Sequence, residues 1–227
     1  TKKQKAIAAT CAVAFWLLVW HVISLCVGSE LVLVSPVKVV QTLFTVIFDP
    51  DFLKTVWYSA ARILGGFFTA LTLGTVLGWV ASRFWVVETL LRPITAVIKA
   101  TPVASFIILV LLWFSGKNLS VIISMLMVFP VIYMNVLEGI RSADEKLLEM
   151  AQVFRLSVGK KLLYIYLPAV APFFVSACSV SLGLCWKSGI AAEVIGTPNG
   201  SIGAVFYQAK IFLQTSELLA WTVVVVA

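Results

Sequence analysis

The chain has 227 residues, of which 61% are hydrophobic and 12% are charged, and its formal net charge is +7. Its mean hydropathy is +1.06. A soluble domain carries about a quarter charged residues, so this composition excludes an ordinary water-soluble globule. The basic residues lie between long apolar blocks instead of forming one patch, which argues against a nucleic-acid partner. We therefore predict an all-α integral membrane protein with the lipid bilayer as its surroundings.

Apolar blocks of about 20 residues can cross the hydrocarbon layer as helices. They predict about six transmembrane helices within one domain, residues 1–227. Residues 1–54 would hold the first span and an outer loop, and residues 55–227 the core of the bundle. The last span, near the end of the sequence, is expected to be cut off. The predicted spans are Ala6–Val27, Ile63–Ser82, a shorter span broken by proline at Pro102–Phe114, Leu119–Leu137, Leu162–Trp186, and a sixth from Leu218.

The orientation follows from the basic residues of the connections. Eleven Lys and Arg residues lie in one set of loops and six in the other. The richer set is expected in the cytoplasm, which places both termini and the loop Arg141–Lys161 inside. The segments Gly28–Lys54 and Lys187–Glu217 would lie outside.

Both outer segments contain local structural signals. Ser35-Pro36 precedes an apolar run, Val37–Phe48, and predicts a short helix that begins at the proline. Residues 196–200 read Gly-Thr-Pro-Asn-Gly, a dense turn signal. Apolar residues at helical spacing from Ile202 onward then predict a short amphipathic helix.

Small residues recur at every fourth position of the second predicted span. This spacing forms a groove along a helix and lets a second backbone approach closely. The ridge predicts a tightly packed bundle. Its members are Gly66, Ala70, Gly74, Gly78 and Ser82.

The cytoplasmic loop predicts a short amphipathic helix. Its apolar face contains Leu147, Met150, Ala151 and Phe154, with Leu148 beside them. Ser142, three residues before Glu145, resembles a capping box. A helix this short needs a surface to rest on. That surface could be the membrane or the bundle itself, or a groove on a cytoplasmic partner, and the residues alone favour neither.

The same loop resembles a known motif. Glu149-Met150-Ala151, followed by Ile165-Tyr166-Leu167-Pro168, is similar to the "EAA" loop of binding-protein-dependent ABC importer permeases. That motif has Glu-Ala-Ala, three residues, Gly, nine residues and Ile-x-Leu-Pro. Arg155 stands at the glycine position, and Gly159 follows four residues later. Further segments resemble the nitrate/sulfonate/taurine branch of these permeases: residues 90–93, 102, 112–114, 129–130, 192–196 and 212–215.

The resemblance implies a type I importer permease in the cell membrane of a prokaryote, with its core in residues 55–227. Two cytoplasmic ATPase subunits, a second permease copy in a homodimer and an external substrate-binding protein are the implied partners. The substrate would be a small anion such as nitrate, a sulfonate or taurine, or else a pyrimidine vitamin precursor or a riboflavin-like molecule. The implied ATPase-coupling residues are Leu147, Glu149, Met150, Ala151, Phe154, Arg155 and Gly159.

The sequence contains no GxxxxGK[ST] phosphate loop. We therefore expect no cofactor in this chain and ATP hydrolysis on another subunit. Lys187 and Glu193, near the outer end of the fifth span, are possible path-lining residues, although Lys187 could instead extend to the interface. An intramembrane enzyme would need paired catalytic groups. An ion-coupled secondary transporter would show an internal repeat and charges at mid-membrane. The sequence shows neither pattern.

The charge bias generates a topological prediction. In a variant without the four native cysteines, Lys146→Cys should react with an impermeant thiol reagent only after the cells are opened. Asn199→Cys should react in intact cells. Labelling of position 146 from outside intact cells would overturn the orientation.

Overall fold

The computed structural model describes residues 2–226, and every regular element in that range is helical. The helices are α1 (Lys2–Val27), α2 (Pro36–Ile47), α3 (Phe52–Arg83), α4 (Trp85–Ala100), α5 (Val103–Trp113), α6 (Gly116–Arg141), α7 (Glu145–Val153), α8 (Val158–Lys161), α9 (Leu167–Gly196), α10 (Ile202–Ile211) and α11 (Thr215–Val226). A π-helical turn, Leu162–Tyr166, joins α8 to α9. The chain divides into two units: residues up to 57 with those from 200 onward, and Tyr58–Asn199.

The long helices confirm the membrane class. Within the described residues, four segments are long and apolar enough to cross a bilayer: Thr10–Val27, α3, α6 and the continuous run Val158–Gly196. A fifth crossing would be the pair α4 and α5, which is bent by 110°. The apolar helix α11, of which 12 residues are described, lies where the sixth span was predicted. The fold is therefore consistent with about six transmembrane helices.

Several predicted boundaries were wrong. The third span, predicted at Pro102–Phe114, contains only the 11-residue α5, and the preceding segment is a 16-residue helix, α4, where we had predicted a cytoplasmic connection. The second span begins at Phe52 and not at the predicted Ile63. Lys54 and Arg62 interrupt the apolar run, so hydropathy placed the start of the span too late, but these residues do not end the helix. The fifth span continues past Trp186 to Gly196, so Lys187 is a helical residue.

The local signals of the outer segments are confirmed. Ser35 caps α2, and its hydroxyl accepts a hydrogen bond from the Lys38 amide at 3.4 Å. In the predicted turn, Thr197 and Gly200 both have positive φ, +41° and +80°, and the left-handed Thr197 is the residue that ends α9. Ser201 caps α10 by accepting from the Ala204 amide at 3.0 Å.

The first unit is held by contacts between α2 and α11. The Thr215 hydroxyl donates to the Leu31 carbonyl at 2.8 Å. The rings of Phe52 and Trp221 lie 5.5 Å apart.

The second unit is built around α6. Ile123, Val128 and Ile132 of this helix are completely buried, and α9 is its most extensive partner. A Cβ atom on Gly139 of α6 would lie 2.9 Å from the Val170 Cα of α9, closer than real Cβ contacts occur. The two backbones therefore touch.

The small-residue ridge of α3 also lies against α6. A Cβ on Gly66 would meet the Val121 carbonyl oxygen, and one on Gly74 would lie 3.0 Å from the Ile132 Cβ. One on Gly78 would lie 3.1 Å from the Tyr133 carbonyl oxygen, and Ala70 is completely buried. Close packing of this kind stabilises helix pairs in lipid, where burial of apolar surface contributes little.

The ridge generates the second prediction. Gly74→Leu should lower the thermal stability of the detergent-solubilised protein, because overpacking a close contact costs about 1–3 kcal/mol. Gly65→Leu is the matched control, since a Cβ at that position on the same helix meets nothing within 4 Å. Equal melting temperatures for the two variants would show that the ridge does not bear a close helix contact.

Candidate functional site

The cytoplasmic helix α7 begins at an N-cap that the sequence analysis misplaced. The Asp144 carboxylate accepts a hydrogen bond from the Lys146 amide at 2.8 Å. Ser142, predicted as the cap, instead closes α6: its hydroxyl donates to the Gly139 carbonyl at 2.8 Å. Asp is as good a cap as Ser, and the aspartate lies next to the first helical residue. The capping-box interpretation was therefore wrong, although the helix forms as predicted.

The C-terminal end of α7 explains what the motif's glycine position requires. Arg155 has φ +49°, the left-handed conformation. Its amide donates to the Gln152 carbonyl at 3.0 Å, and the next amide, of Leu156, donates to the Ala151 carbonyl at 2.9 Å. These two bonds form a Schellman motif, whose left-handed residue is most often glycine. Arg155 keeps the turn of the motif but adopts a conformation that costs an ordinary L-residue about 1–2 kcal/mol.

The predicted apolar face of α7 is divided between two surfaces. The inner face packs on the bundle: Ala151 is completely buried with Ala143 and Ile165, and Leu148 and Leu156 pack against them. The outer face is uncovered in this chain. Its members and their exposed fractions are Leu147 (43%), Met150 (44%), Val153 (79%) and Phe154 (72%).

Two assignments change as a result. Ala151 holds α7 on its own bundle, so we remove it from the surface available to a partner. Val153 belongs on that surface and was missed because it lies at the edge of the apolar stripe. Its signal in the sequence was the spacing of three residues from Met150. The bundle is thus one surface on which the helix rests, and no described residue covers its outer face.

The remaining predicted coupling residues lie around this helix. Glu149 is exposed and forms no ion pair within the described part of the chain. Gly159 lies in the short helix α8, where an added Cβ would meet nothing within 4 Å. Its position therefore does not require glycine for space.

The inner face of α7 is connected directly to a membrane span. Ile165, which packs beside Ala151, lies in the π-helical turn. That turn continues without a break into α9. Between α7 and the ends of α3 and α6 lies a cavity of about 500 Å³, with Trp79, Gln152 and Tyr166 in its lining. The rings of Trp79 and Tyr166 meet edge to face at 5.6 Å.

The two possible path-lining residues occupy different environments. Glu193 is completely buried and accepts a hydrogen bond from the Ser59 hydroxyl at 2.6 Å, which links α9 to α3. Lys187, six residues earlier on α9, is exposed. Glu193 therefore serves as an interhelical contact in this conformation and does not line an open path. Lys187 stays accessible.

Arg62 of α3 is held by its neighbours. Its guanidinium donates to the Asn118 side-chain oxygen at 3.3 Å and lies 5.2 Å from the centre of the Tyr58 ring. These contacts pair the charge with a polar group and an aromatic face, so Arg62 fixes the end of α6 against α3.

Comparison with known proteins identifies the class. Residues 70–227 match the family described as "Binding-protein-dependent transport system inner membrane component". The chain belongs to this family. It is a multi-pass subunit of the cytoplasmic membrane and the permease component of an ATP-driven importer, in which ATP hydrolysis takes place on a separate ATPase subunit and a substrate-binding protein is a partner.

Three relatives place the chain in the predicted branch. A Bacillus subtilis permease protein named for aliphatic sulfonates transport is 30% identical over 209 residues, 91% of this chain and 75% of that protein. The taurine transport system permease protein of Escherichia coli is 27% identical, covering 91% of this chain and 77% of its own length. The nitrate import permease protein of a Synechocystis species is 25% identical, covering 89% and 76%.

The left-handed turn generates the third prediction. Arg155→Gly should make the loop more stable by about 1 kcal/mol, since relief of the strained conformation exceeds the added chain entropy. Hydrogen exchange of the Leu156 amide should then slow by about fivefold. Arg155→Ala removes the same side chain but keeps the strained conformation. If this control slowed exchange equally, strain at position 155 would not be the cause.

Proposed function

We propose that the chain forms the translocation path for a small oxyanion such as a sulfonate, taurine or nitrate. The support is the agreement among relatives named for these three solutes. The choice is tested by measuring uptake of a labelled solute through the complex while unlabelled taurine, nitrate or a thiamine-type pyrimidine competes with it. Competition by the pyrimidine alone would replace the anion with the vitamin-precursor alternative.

The coupling mechanism rests on one observation, the uncovered outer face of α7. Four apolar side chains of a cytoplasmic loop remain exposed to water in this chain, although burying such a side chain contributes about 1.5–3 kcal/mol. A groove on the ATPase subunit would cover them. Glu149 lies beside the face and is free to orient the contact through a polar group on the partner.

The inner face of α7 would transmit the movement. Its helix is fixed to the π-helical turn by Ala151 and Ile165, and the turn is continuous with α9. When the ATPase pair closes, displacement of α7 would therefore move the cytoplasmic end of a span as a rigid connection. π-Helical turns are frequent at sites where helices must change their geometry.

A path enclosed by two copies of the chain fits the packing of the second unit. The backbones of α3 and α9 both touch α6, which leaves no room for a solute between these helices. A second permease subunit, in a homodimer, would supply the other wall. Each copy carries one α7, which implies two ATPase subunits.

Truncation of the largest outer-face residue is the fourth prediction. Phe154→Ala should weaken the association with the ATPase by about 2 kcal/mol, or about thirtyfold. Co-purification of the ATPase and uptake should both fall. The control is Phe212→Ala, which removes the same side chain at an almost equal exposure, 71%, in a segment predicted to lie on the outer side.

The two rival surfaces give opposite results in this experiment. If α7 only rests on the bundle or the membrane, Phe154→Ala should retain ATPase subunits at the ratio of the control and should transport normally. That outcome would remove α7 from the coupling mechanism.

A further inference from the structure

Helix α4, which was absent from the predicted elements, has its polar residues on the side that lies toward α6. Apolar side chains cover its outward side: Leu90, Ile94 and Val97 are 65%, 52% and 59% exposed. Its polar residues follow a second stripe, at spacings of four, three and four: Glu88, Arg92, Thr95 and Lys99. An amphipathic helix at a membrane surface turns its polar side to water. This helix turns it toward α6.

The stripe and α6 form a groove, which we call the α4–α6 groove. One part of about 260 Å³ is lined by Glu88, Arg92, Thr95, Tyr133, Met134, Leu137, Glu138 and Arg141. A second part of about 450 Å³ is lined by Arg92, Thr95, Ala96, Lys99, Ala100 and Met134. The two parts share Arg92, Thr95 and Met134. The larger part alone is within the size range of small-molecule sites, about 300–1,000 Å³.

The charges of the groove are unevenly distributed. Glu88 forms an ion pair with Arg141 between the two helices, so these charges balance. Glu138 lies in the smaller part only. The larger part contains Arg92 and Lys99 and no acidic residue. The Arg92 side chain has no hydrogen bond or ion pair within the described residues. The Lys99 ammonium donates only to the Met134 sulfur, at 3.4 Å, which is a weak acceptor.

A buried hydroxyl supplies an independent sign of a ligand. Tyr133 is 3% exposed and lines the smaller part of the groove. Its hydroxyl has no hydrogen-bond partner in the described part of the chain. Glu88 and Arg141 line the same cavity. Buried polar groups are almost always paired, so an unpaired hydroxyl beside a cationic cleft indicates a ligand that accepts hydrogen bonds.

We propose that the α4–α6 groove binds an oxyanion between Arg92 and Lys99. Two cations without anionic partners would bind the charge, and a tyrosine hydroxyl would be available to donate. The oxyanion comes either from the transported solute or from the phosphate of a lipid headgroup, which has the same charge and acceptor oxygens. The first source rests on the proposed small-anion function.

A cysteine placed inside the groove tests the proposal without a transport assay. Ala96 lies between Arg92 and Lys99 on the same side of α4. Ala96→Cys, in a variant without native cysteines, is assembled with the ATPase in phosphatidylcholine nanodiscs. It is then treated with two methanethiosulfonate reagents, one carrying a sulfonate and one a trimethylammonium group. Lys146→Cys serves as the reference for an open cytoplasmic site.

The expected result is a preference for the anionic reagent, relative to the reference site, and slower modification in the presence of methanesulfonate or nitrate. Arg92→Gln or Lys99→Gln should lower the preference by about threefold to tenfold. Arg92→Lys, which keeps the charge, should restore most of it. Arg83→Gln, a neutralisation outside the groove, should leave it unchanged.

The remaining outcomes distinguish the two sources of the oxyanion, solute and lipid phosphate. They also distinguish failure of this site from failure of the proposed small-anion function. Protection by methanesulfonate or nitrate in phosphatidylcholine supports the solute. Protection only when phosphatidylglycerol is added supports the site with lipid phosphate as its ligand. No charge preference together with no protection overturns the site, even if anion uptake through the intact complex is normal. Protection in a complex that transports no small anion would keep the site and reject the proposed substrate.

Discussion

The close approach of α6 to two other helices is the constraint on which the second unit depends. Inside a bilayer, apolar side chains gain little from contact with one another, so helices hold together where their backbones can touch. Gly66, Gly74 and Gly78 allow this contact on the α3 side, and Gly139 allows it on the α9 side. Because α3 and α9 both touch α6 in this way and are linked to each other by Ser59 and Glu193, no room is left for a solute path between these three helices.

That packing also determines how the cytoplasmic loop can work. Ala151 is small enough to be completely buried against Ala143 and Ile165. The Schellman turn at Arg155 then directs the chain back to the π-helical turn below α9. One side of a nine-residue helix is thus fixed to a span while the opposite side stays uncovered. A helix that is too short to be stable alone becomes a rigid attachment point once its inner face is held.

The sequence predicted the features that depend on local spacing. The ridge of α3, the proline-initiated α2 and the helix at Glu145–Val153 follow from periodicity and turn chemistry, and each lies where the pattern placed it. The division of α7 into two faces could not be predicted, because Ala151 and Met150 are both apolar and only the tertiary fold decides which one is covered. Helix α4 was missed because Arg92 and Lys99 are typical of a loop in a hydropathy analysis. Both side chains are exposed along the α4–α6 groove, so their charges do not interrupt the helix.

The charged residues that lie between helices of the second unit follow one physical rule. A charge removed from water requires a partner, and three contacts between helices supply one within the chain. Glu193 has the Ser59 hydroxyl, Arg62 has Asn118, and Glu88 has Arg141. Arg92 and Lys99 are exposed, have no acidic partner and line one cavity, on a helix whose other side is apolar. Since both belong to the same stripe of α4, a single anion can bind to both, and their position therefore indicates where an anion would bind.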